Sequence, residues 1–526
     1  MTQPSGFLPS RKSSTLPTAL WYGVCVLAGI VLVQSATPWG IGIRHDSLFY
    51  LTSAQSLASS GCLCRIGSGW ELKPLVHFGP LYPTLLWLVT LVSGNLLLSA
   101  RWIASILYGV NLALWGGLVH VHTGRFWAGA IVSGILAVSV VMLQVHDAAM
   151  SEPLFLAILA LALFALTDYL TIGRRRSLWL AAAAVAAAVL TRYAAGSLVA
   201  LGILAIVLLR PAPWKARLGD ALRFGAAAAA PVIVWLVRNA AVAGTATNRT
   251  LRWHPVALDD LRTFLGVVTA WYTAGTASHW LEGALLLAAP ITAGIFLWRN
   301  RRTENGQADA GATLGLLLMG LAASYPAYVA LSRSLFDDTI PIDDRMFSPV
   351  YVALTALFGV VLALASRRRR GRWVVVPAML LLLAISLPYA FGRFREKYDG
   401  MRADGVLFAG RAWQGSESIA WFRDLPEEAL VYSNQALILQ FLADRAAYQL
   451  PMRADVVKGE VREDFAAQLA RMRADLQLPG SYLLVFDAAR PITVEDLEAE
   501  FKEGMRVLRE TEDGFVMVRQ DSGSMP

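Results

Sequence analysis

A handful of charged side chains stand where apolar runs begin or end, and these are the groups that could do chemistry. Asp46, in Arg44-His45-Asp46-Ser47, opens a helical stretch that runs through Ala54, Leu57 and Ala58 and stops at Gly61. The plain structural reading is a helix cap, with Ser47 as an alternative cap. A carboxylate held by backbone N–H groups also stays ionised and oriented, so Asp46 is equally a candidate general base. Glu152, in Ser151-Glu152-Pro153, opens an apolar helix. Capping and the helix dipole account for an acid there. The functional reading is a second carboxylate facing Asp46 across a cavity, because ionisable groups at membrane depth are expected to be functional. Arg192, Arg238 and Arg345 lie at helix ends. They read either as side chains snorkelling to headgroups or as a cationic pocket for a lipid-linked phosphate. His77 opens His77-Phe78-Gly79-Pro80, an interfacial turn with aromatic anchoring; alone it makes no metal site.

The elements that must position these groups follow from composition. Of 526 residues, 56% are hydrophobic and 16% charged, against roughly 25% charged in soluble domains. Mean hydropathy is +0.50. Such a chain is a polytopic membrane protein. Charge divides it in two: residues 1–391 carry 29 basic and 15 acidic side chains, and residues 392–526 carry 17 and 23. The positive charge is spread over loops, which excludes a nucleic-acid surface. Three cysteines, Cys25 in an apolar run and Cys62 and Cys64 in a C-x-C, show no zinc framework.

Eleven runs are long or apolar enough to span: 18–37, 102–121, 127–145, 153–171, 178–191, 195–209, 222–237, 282–298, 312–332, 347–366 and 373–391. The first reads as a signal anchor in preference to a cleaved signal peptide, being longer than a usual signal core. The run 81–92 contains Pro83, spans only a dozen residues and reads as a juxtamembrane helix. With that reading, 18 basic residues fall in loops on one side and 11 on the other, whose loops are about twice as long. The amino terminus is therefore expected to be cytoplasmic. Loops 38–101, 146–152, 238–281 and 333–346, and the tail, are expected outside. The tail reads as a small α/β domain with strands at 430–432 and 482–486, helices at 417–423, 435–443 and 494–501, and a hairpin at 506–519. The expected fold class is thus all-α polytopic membrane protein, with juxtamembrane helices in the first outer loop, plus a C-terminal α/β extracytoplasmic domain. Two domains follow, 1–391 and 392–526.

Taken in order, these segments resemble the GT-C glycosyltransferases that use polyprenyl-phosphate sugars. That superfamily includes the protein O-mannosyltransferases, the lipid A aminoarabinose transferase and the lipopolysaccharide-core galacturonosyltransferases. The resemblance runs through 46–61, 77–83, Arg101, 151–155, 191–193, 235–239 and 345–351, which is the membrane part and not the tail. It implies that Asp46 is catalytic, that Glu152 is the acid at the start of the fourth helix and that Arg192 is the basic residue of the fifth-to-sixth helix turn. Tyr50, His77 and Arg101, with Arg192, Arg238 and Arg345, complete the implied substrate and phosphate set. The aminoarabinose transferases carry Glu-Lys where this chain has Phe78-Gly79, so their metal site is not carried over. No cofactor is assigned, and a divalent metal stays open.

The expected function is an integral glycosyltransferase of the inner or plasma membrane. It would move a sugar, with inversion, from a polyprenyl-phosphate donor to a hydroxyl of a lipid, glycan or protein. Two other classes stay open. A lipid or polysaccharide transporter or flippase would favour inverted repeats. A polymerase or ligase with a pyrophosphate-linked donor would do without the first-loop carboxylate.

Overall fold

A computed structural model describes residues 15–272, 279–369, 371–455, 460–487 and 499–520, with backbone alone described for 15, 279–288, 455, 460, 461 and 499. The amino-terminal basic pair at 11–12 and most of the helix expected at 494–501 lie outside them.

Every one of the eleven apolar runs is helical. Among the described residues, seven helices are long and apolar enough to cross a membrane. They are Leu16–Ala36, Leu96–Thr123, Glu152–Ile172, Trp214–Ala243, Ala310–Leu335, Ser348–Ala365 and Gly371–Asp404. Arg175–Thr191, Ser197–Leu209 and His279–Arg299 supply three more of the expected runs. The run at 127–145 differs from expectation. It is two helices, Phe126–Ala137 and Val140–Val145, parted at Val138-Ser139. Two side chains take over the backbone groups that this break frees. The Ser139 hydroxyl accepts from the Met142 N–H, and the Tyr108 hydroxyl donates to the Ala137 carbonyl at 3.1 Å. Free backbone groups in an apolar medium require such partners.

Helices Thr15–Ala36 and Leu96–Thr123 cross at glycine. A Cβ on Gly29 would stand 2.2 Å from the Gly109 backbone nitrogen, so this approach needs hydrogen at both positions. Small residues let apolar helices approach backbone to backbone where lipid offers no hydrophobic drive.

The first loop folds as expected around two juxtamembrane helices, His45–Ser60 and Leu81–Ser93. A short antiparallel pair, Cys64–Ile66 with Leu72–Pro74, joins them, and a disulfide links Cys62 to Cys64. The tail is α/β. Five of its described strands form one sheet, in the order Tyr448–Gln449, Leu430–Ser433, Ser481–Phe486, Gly514–Arg519, Met505–Thr511. Leu430–Ser433 is parallel to both neighbours; the last two strands are an antiparallel hairpin. The last apolar run continues without a break through Gly392 to Asp404 before the chain enters the tail.

The first loop is tied to the turn before Glu152, where Gly42 bridges Ala148, and to the tail, where Ile43 bridges Leu407. The Gln440 side chain donates to the Gly67 carbonyl at 3.0 Å, while the Gly69 N–H donates to the Ala447 carbonyl at 2.9 Å.

Candidate active site

The helix His45–Ser60 starts one residue before Asp46, so Asp46 lies in its first turn and is not the cap. Ser47 does the capping: its hydroxyl accepts from the Arg44 N–H at 3.0 Å. The Asp46 carboxylate is thereby left free for other partners. It meets Arg345, whose Nη1 lies 3.0 Å from Oδ2.

Arg345 also reaches Glu152, with Nη1 3.1 Å from Oε1. The same Oε1 is ion-paired with Arg192. Four charges from four parts of the chain therefore form one neutral network: Asp46, Arg345, Glu152, Arg192. Exposure falls along it, from 36% at the Asp46 side chain through 13% at Arg345 to 1% at Glu152. Burial opposes the charge on Arg345, but Glu152 and Asp46 outweigh it and raise its pKa above the ordinary guanidinium value.

Each member is placed by local structure. Pro153 fixes the start of the helix Glu152–Ile172, and Asn111 Nδ2 donates to the Pro153 carbonyl at 2.9 Å. The Tyr50 hydroxyl pairs with Ser151 Oγ at 3.0 Å. Tyr50 therefore orients the helix start from behind. Arg192 ends the helix Arg175–Thr191 in extended backbone. Gly79 backs that end: a Cβ there would lie 2.0 Å from the Leu190 carbonyl oxygen. Asp343 Oδ1 accepts from the Met346 N–H at 2.7 Å and shapes the loop that carries Arg345.

The remaining candidates sit elsewhere. Arg101 donates to Thr37 Oγ1 at 3.0 Å and to the Gln34 carbonyl at 2.7 Å, pinning the end of the first helix. Arg238 donates to the Leu75 carbonyl at 3.1 Å and lies over the Trp235 ring, with its guanidinium carbon 4.8 Å from the centroid. Neither has an ion-pair contact with the network. Arg238→Ala is expected to lower the melting temperature in detergent, because it frees buried loop carbonyls, and to change turnover by less than about threefold.

His77 lies between Arg249, Asp46, Asp337 and Arg65, and its Nδ1 has no hydrogen-bond partner. Burial, with Arg249 next, pushes its pKa from 6.5 down to about 4. The unfolded chain thus binds a proton at this site that the folded chain refuses between those two values. Stability is accordingly lost as pH falls through that window. Melting scans from pH 7 to pH 5 should fall less steeply in His77→Gln.

A second ionic group was not signalled by the sequence. Asp147 is fully buried and accepts from Arg44 Nη2 at 3.1 Å, with Lys397 Nζ 2.9 Å from its other oxygen. Arg44 adjoins the turn that carries Asp46, and Lys397 lies on the helix leading to the tail. Asp147 thus ties both to the turn before Glu152. The pairing of Arg249 with Asp337, 3.8 Å apart, is likewise not signalled by the sequence.

Asp46 and Arg345 open onto a cavity of about 480 Å³ whose far wall is built by the tail, including Phe408, Trp413 and Phe486. That volume suits a small ligand. Another cavity, about 540 Å³, lies along Phe465–Asp475 in the tail and touches none of the network. A divalent ion does not fit the four-residue network, since Arg345 bridges its two carboxylates. Among the described residues no group of three or more His, Cys, Asp or Glu could hold a metal.

No protein-family model and no curated protein matches the chain. Solved structures do. ArnT from Cupriavidus metallidurans bound to undecaprenyl phosphate is similar over 98% of this chain and 100% of its own, with TM-score 0.52 and 14% identity. The same protein in the apo state gives TM-score 0.51 at 14% identity, over 96% of this chain and 98% of its own. The apo oligosaccharyltransferase of Archaeoglobus fulgidus gives TM-score 0.50 at 11% identity, over 89% of this chain and 69% of its own. The chain thus has the GT-C fold that its sequence resembles, and the likeness to ArnT extends into the tail.

Proposed function

We propose that this GT-C chain is a membrane glycosyltransferase that moves a sugar from a polyprenyl monophosphate to an acceptor hydroxyl. The observation that carries the reading is the Asp46–Arg345 pair at the rim of a cavity, 3.0 Å between charges. The reaction needs a general base on the acceptor side of the anomeric carbon and a phosphate-binding cation on the leaving-group side, and this pair puts both groups within reach of one cavity.

In the proposed step the acceptor oxygen attacks the anomeric carbon while Asp46 takes its proton. The bond from that carbon to the phosphate oxygen breaks on the opposite face, which inverts the anomeric centre. The electron pair leaves with the polyprenyl phosphate, and Arg345 and Arg192 offset its growing charge. Arg345 would give up Asp46 to do so. Glu152 is a positioning residue, because it lies behind both arginines and holds them. No step passes through a metal.

The fold of ArnT, determined with undecaprenyl phosphate bound, supports the choice of donor. The basic loops support an inner or plasma membrane protein with its amino terminus in the cytoplasm and its tail outside. The Cys62–Cys64 disulfide supports an oxidising compartment for the first loop.

The test is to offer the purified protein, in vesicles, labelled sugars on polyprenyl monophosphate and on polyprenyl pyrophosphate with extracted envelope lipids. Release of polyprenyl monophosphate from the first donor is expected. Turnover of the pyrophosphate donor alone would indicate a polymerase or ligase. Lipid movement without any bond cleavage would indicate a flippase.

A further inference from the structure

The far wall of the cavity has its own logic. Gln435 follows the strand Leu430–Ser433, and Phe486 ends the strand Ser481–Phe486. These strands are parallel neighbours, paired from Leu430 with Ser481 to Ser433 with Leu484. Both carboxyl ends therefore point at the cavity that holds Asp46. In α/β sheets the crevice beyond the carboxyl ends of parallel strands is where ligands bind. Asn434 locks the two ends together: its Nδ2 donates to the Phe486 carbonyl at 2.8 Å, and its Oδ1 accepts from the Phe486 N–H at 3.0 Å.

An aromatic series crosses from this sheet to the juxtamembrane helix. Phe486 stacks on Trp413 at 5.2 Å between centroids, Trp413 meets Phe408 edge-on at 4.8 Å, and Phe408 meets His45 at 4.8 Å. The wall is thus rigid and amphipathic. Leu407 stands exposed beside it in left-handed backbone, φ 48°. The Gln435 backbone N–H is taken by Ser433, and no hydrogen bond of its side-chain amide occurs among those described. Opposite the wall lie Arg44, Asp46 and Arg345.

We propose that this wall is the acceptor subsite, and that it takes a carbohydrate ring whose hydroxyl is presented to Asp46. The inference rests on the glycosyltransferase reading and names the acceptor class. A sugar ring has an apolar face of C–H groups and a rim of hydroxyls. Trp413 and Leu407 suit the face; the Gln435 amide and Arg44 suit the rim. One way to read an extended peptide is to add it to an open strand edge. The edges of this sheet, Tyr448–Gln449 and Met505–Thr511, do not line the cavity. A lipid alcohol would need an apolar channel, and five of the nine lining residues here are polar or charged.

Saturation-transfer NMR on the full chain in detergent tests this without any donor. The probes are methyl α-D-mannopyranoside, methyl β-D-galactopyranoside and N-acetylthreonine amide. Ring protons of at least one glycoside should be saturated, the threonine amide should not, and the signal should drop at least about threefold in Gln435→Ala. Trp413→Leu should abolish it. If that variant melts early, Gln435→Ala decides, since its side chain has no structural bond to lose. Arg473→Ala, at the other tail cavity, should leave the signal unchanged. Equal saturation in wild type and Gln435→Ala, silence from both glycosides, or a threonine signal would overturn the proposal. Sugar transfer without glycoside binding would overturn the subsite and leave the enzyme reading standing. Glycoside binding without any transfer would overturn both the acceptor role and that reading.

Discussion

Asp46→Asn should lower sugar transfer by about 10² to 10⁴-fold, the usual contribution of a positioned general base. Asparagine has nearly the same shape and still offers an oxygen to Arg345, 3.0 Å away in the native pair. It cannot take a proton from the acceptor hydroxyl. The loss should therefore fall on kcat, with KM for the donor changed by less than about threefold. Stability should barely move. The Asp46 side chain is 36% exposed, and ion pairs this wet contribute about 0–1 kcal/mol. A melting curve within about 2 °C of wild type would separate a chemical loss from a folding loss. Initial rates and melting scans on the same preparation supply both readouts.

Glu152→Ala should do the reverse and strike the fold first. Glu152 is 1% exposed and, among the described residues, is the acid ion-paired with both Arg192 and Arg345. Removing one partner of a buried ion pair leaves charge uncompensated in a dry site and costs about 3–5 kcal/mol. The midpoint of thermal unfolding in detergent should drop by more than about 5 °C. A double replacement, Glu152→Gln with Arg192→Gln, should recover much of that loss, because the buried charges then disappear together. It should not restore transfer, since a phosphate-binding cation has gone with them. Recovery of both stability and turnover would contradict the role given to Arg192.

The sequence carried the membrane architecture because hydropathy and arginine placement are local signals. It also marked Asp46, Glu152, Arg192 and Arg345, each an ionisable group at the mouth of an apolar helix. The residues suggested two carboxylates facing each other across a cavity; the structure instead puts Arg345 between them, joining positions as far apart as 46 and 345. Arg101 and Arg238 look identical to them in sequence. What separates them is the partner: carbonyl oxygens of the first helix end and first loop instead of carboxylates. The Asp147 group went unread because Arg44 and Lys397 are distant in the chain and each looks like an ordinary surface charge. The break at Val138-Ser139 has no glycine or proline to announce it, and its compensation comes from Tyr108 on another helix. The cavity wall was hidden for a similar reason. Phe408, Trp413, Gln435 and Phe486 are scattered through the tail; the parallel pairing of two strands brings Gln435 and Phe486 together, and ring contacts bring Trp413 and Phe408 to them.

The central claim is that Asp46 draws a sugar off a polyprenyl monophosphate beside Arg345. The most direct measurement counts polyprenyl monophosphate released per labelled sugar transferred, with wild type and Asp46→Asn in matched vesicles. One lipid phosphate per sugar in wild type, and at least about a hundredfold less of both products in the variant, is the predicted result. Equal release by the two proteins, or sugar transferred with no lipid monophosphate formed, would contradict it.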